Sequence, residues 1–550
     1  MKKALYIPLI ILVLIIGGLT LRTILSEDFI PEKEEETLTE NDLFRSRVIY
    51  FVRDIAGKKV AGEESGYSAE EEGDWEVSIE AYSEGEIVAQ GEKSGKGLSL
   101  SLIAEAVEST EGLTQENLEQ VRFKVDISGP GETNLSLIEY KDRAAELVSE
   151  IVPLRKLSKG LIEEKIREGR EFLMRGLDPE TQGFHKKYHA LEDLYEPRLH
   201  SVYSASIVYT LLYIYDYNKD ESILNNLSDW GNFLLFMQNK DEGSERYGAF
   251  HYSYYTDEEE KEEKYVVGTA ALNIFTLLRL YEFTGEERYL ESAKLAGNWL
   301  LAMQNPDGTM TPYVRKRATD GKWVHGTKES LLYEGQTLSS LSKLYKQTGE
   351  EKYYKAAKKI ADRFAGKYNE AQGYVKGEYR GKNPISNSWV VMSLMDFVKA
   401  TGEEEYKTIV FELNSLVLEN QIKDEDDILN YGRWEGAFST SGIGWISEVM
   451  TDTYRFCREE GRDDCEKYKE AVVRGIRWLI QHTYTEENSF LVKNPEQALG
   501  GVFWNKSERY VRTDSNCHAL NAYTRIIEFL GEGELISIPE EIIFDSEGIK

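Results

Sequence analysis

Thiols and positive charge are scarce in this chain of 550 residues. It has three cysteines, Cys457, Cys465 and Cys517. A thiolate-rich zinc site needs three or four protein ligands, and three cannot be assembled here, so no metal is expected. Lys and Arg number 66 against 97 Asp and Glu, a net charge of −31. Nucleic acid bound through its phosphates demands a basic surface, so that class of partner is excluded. Also missing are a glycine-rich phosphate loop, a G-x-S-x-G elbow and an H-E-x-x-H helix, which removes three common routes to phosphoryl, acyl and zinc-peptidase chemistry. No cofactor is implied.

Against these absences stands one long apolar run. Lys2 and Lys3 precede Ala4–Leu21, and with Ile24 the run is long enough to cross a bilayer. The flanking positive charge places the N-terminus in the cytoplasm and the bulk of the chain outside. No small-residue cleavage pattern follows, so residues 1–24 are expected to stay as an anchor. Residues 25–42 are acidic and poor in apolar side chains, a spacer. From 43 to 150 the pattern changes. WEVSIEAYSEGEIVAQGE alternates apolar and polar residues across a Glu-Gly turn, as a β-hairpin does. LSLSLIAEAVEST is helical in pattern and VRFKVDIS alternates again, giving a small α+β domain. In that order of elements it resembles AMMECR1-like domains, without the Cys-containing motif of that family.

The rest of the chain, 151–535, is built on a repeat. VGTAALNIFTLLRLYEF is apolar nearly all round, TGEE interrupts it, and RYLESAKLAGNWLLAMQN keeps one wet face. The unit is therefore a helical hairpin with a buried inner and a half-exposed outer helix. GNWLLAMQN echoes GNFLLFMQN, and LYEFTGEERY echoes LYKQTGEEKY. The period is about 53–66 residues. Six inner helices are expected to start near Ser201, Val267, Leu332, Ser386, Gly444 and Asn516. Outer helices fall near Lys159, Ser222, Glu286, Glu350, Glu403 and Asp464. Six of each predicts a mainly α fold, an (α/α)6 toroid, followed by an acidic tail at 536–550. Cys457 and Cys465 flank one inner-to-outer turn, where a disulfide outside the membrane would clamp it.

Inner-to-outer turns are short, whereas outer-to-inner connections are long and rich in aromatics, His and Arg. Long loops in compact domains usually carry function. All of them enter inner-helix N-termini, so they gather at one end of the ring. Those N-termini favour an anionic group there.

The phrases LYEFTGEERYLESAKLAGNWLLAMQNPDGTM and SLLYEGQTLSSLSKLYKQTGEEKYYKAAKKIADRF resemble the six-hairpin, (α/α)6-toroid carbohydrate-active proteins. That superfamily includes six-hairpin glycosidases, unsaturated glucuronyl hydrolases, N-acylglucosamine-type epimerases and uronate C5-epimerases. The resemblance implies a polysaccharide or glycoconjugate substrate in a cleft at the long-loop end.

Glycosidic cleavage needs two carboxyl groups facing the bond; Glu334, Glu435 and Asp514 are the candidates. Epimerisation or elimination needs a base and a proton donor; His251, His325, His518, Tyr252 and Tyr333 qualify. Arg433 or Arg512 would hold a substrate carboxylate in a bidentate pair. Trp323, Trp389, Trp434 and Trp445 are candidate sugar platforms. Asp514 also suits a helix cap, Glu334 a first-turn carboxylate, and His518 a satisfied core position. The leading expectation is a membrane-anchored extracytoplasmic enzyme on a glycan, one that contains uronic acids being a natural case, with hydrolysis slightly ahead of elimination or epimerisation. Two rivals stand beside it. One is a non-catalytic glycan-binding scaffold. The other is a lanthionine-synthetase-like toroid, suggested by Cys517-His518 but lacking sulfur in the preceding GIGWIS. Oligomeric state is not readable.

Overall fold

A computed structural model describes residues 42–538 except 64–73, 84, 97–99, 119, 130–132, 141–142, 147–152, 380–382, 438, 487, 490–491 and 506–508. The anchor at 1–24, the spacer before Asp42 and the tail beyond Ile538 lie outside those residues. No helix among the described residues is long and apolar enough to cross a membrane. The chain divides into two compact units, Met1–Val152 with Tyr484–Ala498, and Pro153–Thr483 with Leu499–Lys550.

The smaller unit holds an antiparallel sheet in the order β2-β1-β3-β4-β5. Its strands are β1 (Trp75–Ser83), β2 (Glu86–Gly95), β3 (Arg122–Gly129), β4 (Thr133–Tyr140) and β5 (Arg143–Glu146). Helices Asp42–Ala61 and Leu100–Ser109 pack on it. Val77, Ile79, Phe123 and Val125 meet Val52, Ile55, Leu102 and Ile103 in one buried cluster. The sequence reading missed the first of these helices, whose charged residues Arg53 and Asp54 interrupt its apolar stripe. Arg53 spends its charge on Glu139, 2.9 Å from Oε2, and on the carbonyls of Leu118 and Val121, each 2.6 Å away.

In the larger unit the inner helices are Ser201–Asn218, Val267–Thr284, Leu331–Thr348, Pro384–Thr401, Thr440–Glu459 and Thr513–Ile526. Each packs on two others, and the sixth packs on the first, so the ring closes. The last two begin earlier than the expected Gly444 and Asn516. Ser439 caps the fifth through the Gly442 amide, a signal hidden within a run of Gly and Ser. Outer helices are Lys159–Arg175, Leu227–Met237, Glu287–Ala302, Glu351–Ala371, Lys407–Glu419 and Glu466–Gln481. Glu534–Ser537 pairs with Lys156–Ser158 and ties the two ends of the unit together.

The repeated words have repeated geometry. In each TGE turn the glycine takes the left-handed conformation just past the inner helix: Gly285 at φ 68°, Gly349 at 69°, Gly402 at 79°. A side chain is strained there and glycine is not. The threonine bonds back to the helix and receives the next glutamate's amide, as at Thr284 and Glu286 (3.2 Å). The glutamine of each MQN-like word ends one outer helix and bonds to the next. Gln238 donates to the Ser292 carbonyl (2.9 Å), Gln304 to Ala356 (2.9 Å) and Gln421 to Ala471 (2.8 Å). The glycine of GNFLL or GNWLL makes room for the buried tyrosine of the following outer helix. A Cβ on Gly231 would lie 2.3 Å from the Tyr289 hydroxyl, and one on Gly297 would lie 2.9 Å from the Tyr353 ring. Cys457 and Cys465 are joined in a disulfide across their turn.

Gly297→Val is therefore expected to lower stability by about 1–3 kcal/mol, the usual cost of overpacking. Chemical denaturation of the full chain measures it. A free energy unchanged from wild type would show that the tyrosine socket does not constrain the outer layer.

Candidate functional site

The long connections fold over one end of the ring as small antiparallel sheets. Arg198–His200 pairs with Ser253–Tyr255, Lys264–Val266 with Tyr313–Lys316, and Val511–Arg512 with Lys187–His189. Three of these strands run straight into inner helices. That junction fixes the direction in which the first-turn side chains leave the backbone.

Under this cover lies a cavity of about 970 Å³ lined by all six inner helices, at the upper end of the range for small-molecule sites. Seven of the sequence candidates line it: Asp514, Tyr252, Tyr333, Trp389, Trp445, Arg512 and His518. Tyr203, Gln336, Glu448, Trp504 and Asn521 join them.

Two groups carry its chemistry. In the first, the Nδ1 edge of His518 meets Glu448 Oε2 at 2.8 Å, and Asn521 donates to Glu448 Oε1 at 3.1 Å. Both Glu448 oxygens are thus engaged. The His518 Nε2 has no hydrogen-bond partner among the described residues. Trp445 stands edge-on to the imidazole at 5.2 Å and stacks on Trp389 at 3.8 Å. In the second, Arg512 grips Asp514 through two bonds, Nε to Oδ1 at 2.8 Å, and Ser441 donates to Oδ2 at 2.9 Å. Burial works to raise the Asp514 carboxyl, but Arg512, His518 and Ser441 outweigh it and hold its pKa below the ordinary value. Asp514 is thus an anion with both oxygens in use. Arg512 also lies over Trp504, 4.1 Å from its ring centre. At the far end of the cavity, Lys343 pairs with Asp396 at 2.9 Å and Arg525 with Asp452 at 2.7 Å.

The other candidates are not brought to this cavity. Glu334 is fully buried on the side of its helix that faces the outer layer, 3.9 Å from Arg363. Helix periodicity explains this: its neighbour Tyr333 takes the cavity side. His251 is buried between the Glu262 carbonyl (3.1 Å) and the Tyr265 hydroxyl (3.2 Å). Glu435 is exposed on a turn, and His325 is exposed in the short strand Trp323–His325, which pairs with Tyr313–Lys316. Trp323 lies under Arg246, 3.9 Å from its ring centre. Trp434 is fully buried, and Arg433 beside it is half-buried off the cavity. An aromatic-rich loop thus gave no indication of which of its residues packs inward under the loop itself. Glu448, which stands with Trp445 in the sequence cluster at the fifth inner helix, follows it by three residues and so shares its helix face. Among the described residues no group of three or more His, Cys, Asp or Glu side chains clusters as a metal site.

Burial, followed by the nearby Glu329 charge, pushes the Glu334 pKa from its ordinary 4.5 up to about 8, against the pull of Arg363 and Lys367. The folded chain therefore keeps a proton that the unfolded chain releases. This stability is fully present below pH 4.5 and is lost as pH rises from there to about 8. Glu334→Gln is expected to raise the melting temperature at pH 8, leave it unchanged near pH 4.5, and leave turnover intact. Melting curves at the two pH values check the sign.

Residues 260–374 match the model of glycosyl hydrolase family 76. Among solved structures the chain is similar to cellobiose 2-epimerase from Bacillus thermoamylovorans, at 13% identity and a TM-score of 0.53, over 68% of this chain and 99% of that one. Cellobiose 2-epimerase from Spirochaeta thermophila aligns at 13% identity and 0.52, over 68% and 96%. A D-mannose isomerase aligns at 14% and 0.51, over 68% and 98%. No curated protein matches the chain in sequence. These likenesses are of fold, and the larger unit is a six-hairpin toroid.

Proposed function

We propose that the chain is a carbohydrate-active enzyme whose central step is proton transfer by His518 within the toroid cavity. The observation that carries this reading is the His518–Glu448 pair. An Nδ1–H donated to Glu448 fixes the tautomer and leaves the Nε2 lone pair open as a base. The stacked indoles of Trp389 and Trp445 offer an apolar wall to the C–H face of a sugar. Tyr203, Tyr252 and Tyr333 line the same cavity.

The step this geometry serves is removal of a proton from the carbon beside the carbonyl of an open-chain sugar. The C–H bond breaks, Nε2 gains the proton, and the electron pair moves onto the carbonyl oxygen as an enediolate. Glu448 stabilises the imidazolium that forms. Return of the proton to the opposite face gives an epimer, and return to the adjacent carbon gives an isomer. Hydrolysis asks for something different, one protonated carboxyl and one ionised carboxyl across the bond. Asp514 and Glu448 are both committed elsewhere, and Asp396 and Asp452 are paired with cations. A glycoside hydrolase remains the second reading, favoured by the family 76 match over 260–374. The run Ala4–Leu21 adds a membrane tether with the enzyme on the outer side, a placement that protease access to intact cells would test.

Full-length protein incubated with reducing disaccharides in D2O tests the chemistry. Proton exchange at the carbon next to the carbonyl, followed by NMR, is the expected result. His518→Ala should slow it by about 10²–10⁴-fold, the usual share of general acid–base catalysis. Release of new reducing ends without exchange would replace this reading with hydrolysis.

A further inference from the structure

Four cations crowd two tyrosines of the cavity lining, and of the four Arg512 itself lines the cavity. The Lys186 ammonium lies 5.5 Å from the Tyr203 ring centre and the Arg512 guanidinium 6.0 Å from the same centre. Around Tyr252 stand Lys264 at 4.0 Å and Arg198 at 6.0 Å. Both tyrosines line the cavity. Behind them His200 is 1% exposed, edge-on to Tyr203 at 5.5 Å and to Tyr252 at 4.9 Å. Neither of its ring nitrogens has a hydrogen-bond partner.

The charges do not cancel. Arg512 is held by Asp514, and Arg198 by Glu262 at 2.6 Å. Among the described residues no carboxylate lies within ion-pair distance of Lys186 or Lys264. Both lysines are half-buried. Burial lowers the pKa of each, the cost of keeping an ammonium out of water without a close counter-ion. Glu196 and Asp514 act on Lys186, and Glu262 on Lys264, but from beyond ion-pair distance.

We infer that Lys186 and Lys264 form an anion-recognising subsite, and that the substrate is a glycan bearing an acidic substituent. This rests on the reading of the cavity as a sugar site and narrows it from sugars at large to acidic ones. A carboxylate, sulfate or phosphate ester shares the needed chemistry, two or three acceptor oxygens that take charge-assisted bonds. The local positive field would also draw such a ligand past an otherwise repulsive surface.

Binding, measured apart from turnover, tests it. Full-length protein is titrated calorimetrically with three oligosaccharide sets: a uronate-containing series, its carboxyl-reduced neutral counterpart, and a sulfated series. The acidic ligands are expected to bind more tightly than the neutral one. In Lys186→Gln/Lys264→Gln that preference should shrink by about tenfold or more, with neutral affinity unchanged. Lys264→Arg should retain it, and affinity should fall with added salt only for the acidic sets. Circular dichroism melts confirm that the variants fold. Equal affinity for acidic and neutral glycans in wild type, or a preference untouched by the double variant, would overturn the inference. Which acidic series wins identifies the substituent. Discrimination in binding without any proton exchange would sink the catalytic reading and leave this one standing.

Discussion

The ring closes through its inner helices, and at two of its joints the outer layer is keyed by a socket between neighbouring outer helices. A glycine on one helix admits the tyrosine of the next, and a terminal glutamine bonds across the same gap. Dispersion and area burial supply most of the energy of such a layer, but they do not set an angle. The socket does, because a ring that must enter a glycine notch has one register. Once the angle per hairpin is fixed, six hairpins meet themselves, and the first-turn residues of all six inner helices face one axis. Any chemistry in the cavity inherits that convergence. Every one of the six inner helices contributes to its lining.

Within the cavity, charge is distributed by pairing. Asp514, Glu448, Asp396 and Asp452 each have a cationic, imidazole or amide partner, and each is thereby oriented. Glu334, a carboxyl driven toward its neutral form by burial, lies on the outer side of its helix. Against this saturated background two groups stand out, the free edge of His518 and the amines of Lys186 and Lys264. The first has the character of a base and the second that of an anion clamp. Both lie where sheets from different connections cover the ring.

The sequence carried the ring well, because its evidence was periodic. TGEE turns, MQN words and the buried-then-amphipathic alternation repeat in register, and each repetition reflects a contact the fold needs. The site was legible only where a candidate sat on an inner helix or immediately before one, as Trp389, Trp445, Arg512, Asp514 and His518 do. On a helix, spacing fixes direction. In the connections it does not, so His251, Trp323 and Glu435 could not be separated from Tyr252 by composition. Glu334 and Tyr333 are adjacent, and only the phase of the helix decides between them. Lys186 and Lys264 left no sequence signal, since what sets them apart is a spatial fact, that no described carboxylate comes within ion-pair distance of either.

The short strand pairing of Lys156–Ser158 with Glu534–Ser537 brings the two ends of the toroid side by side. A ring joined at such a seam has no privileged starting hairpin. Its sequence could be opened at any of the tight glycine corners and rejoined at the seam with little change in loop-closure entropy. The order of hairpins along the gene is then a matter of descent, while their order around the axis is a matter of mechanics.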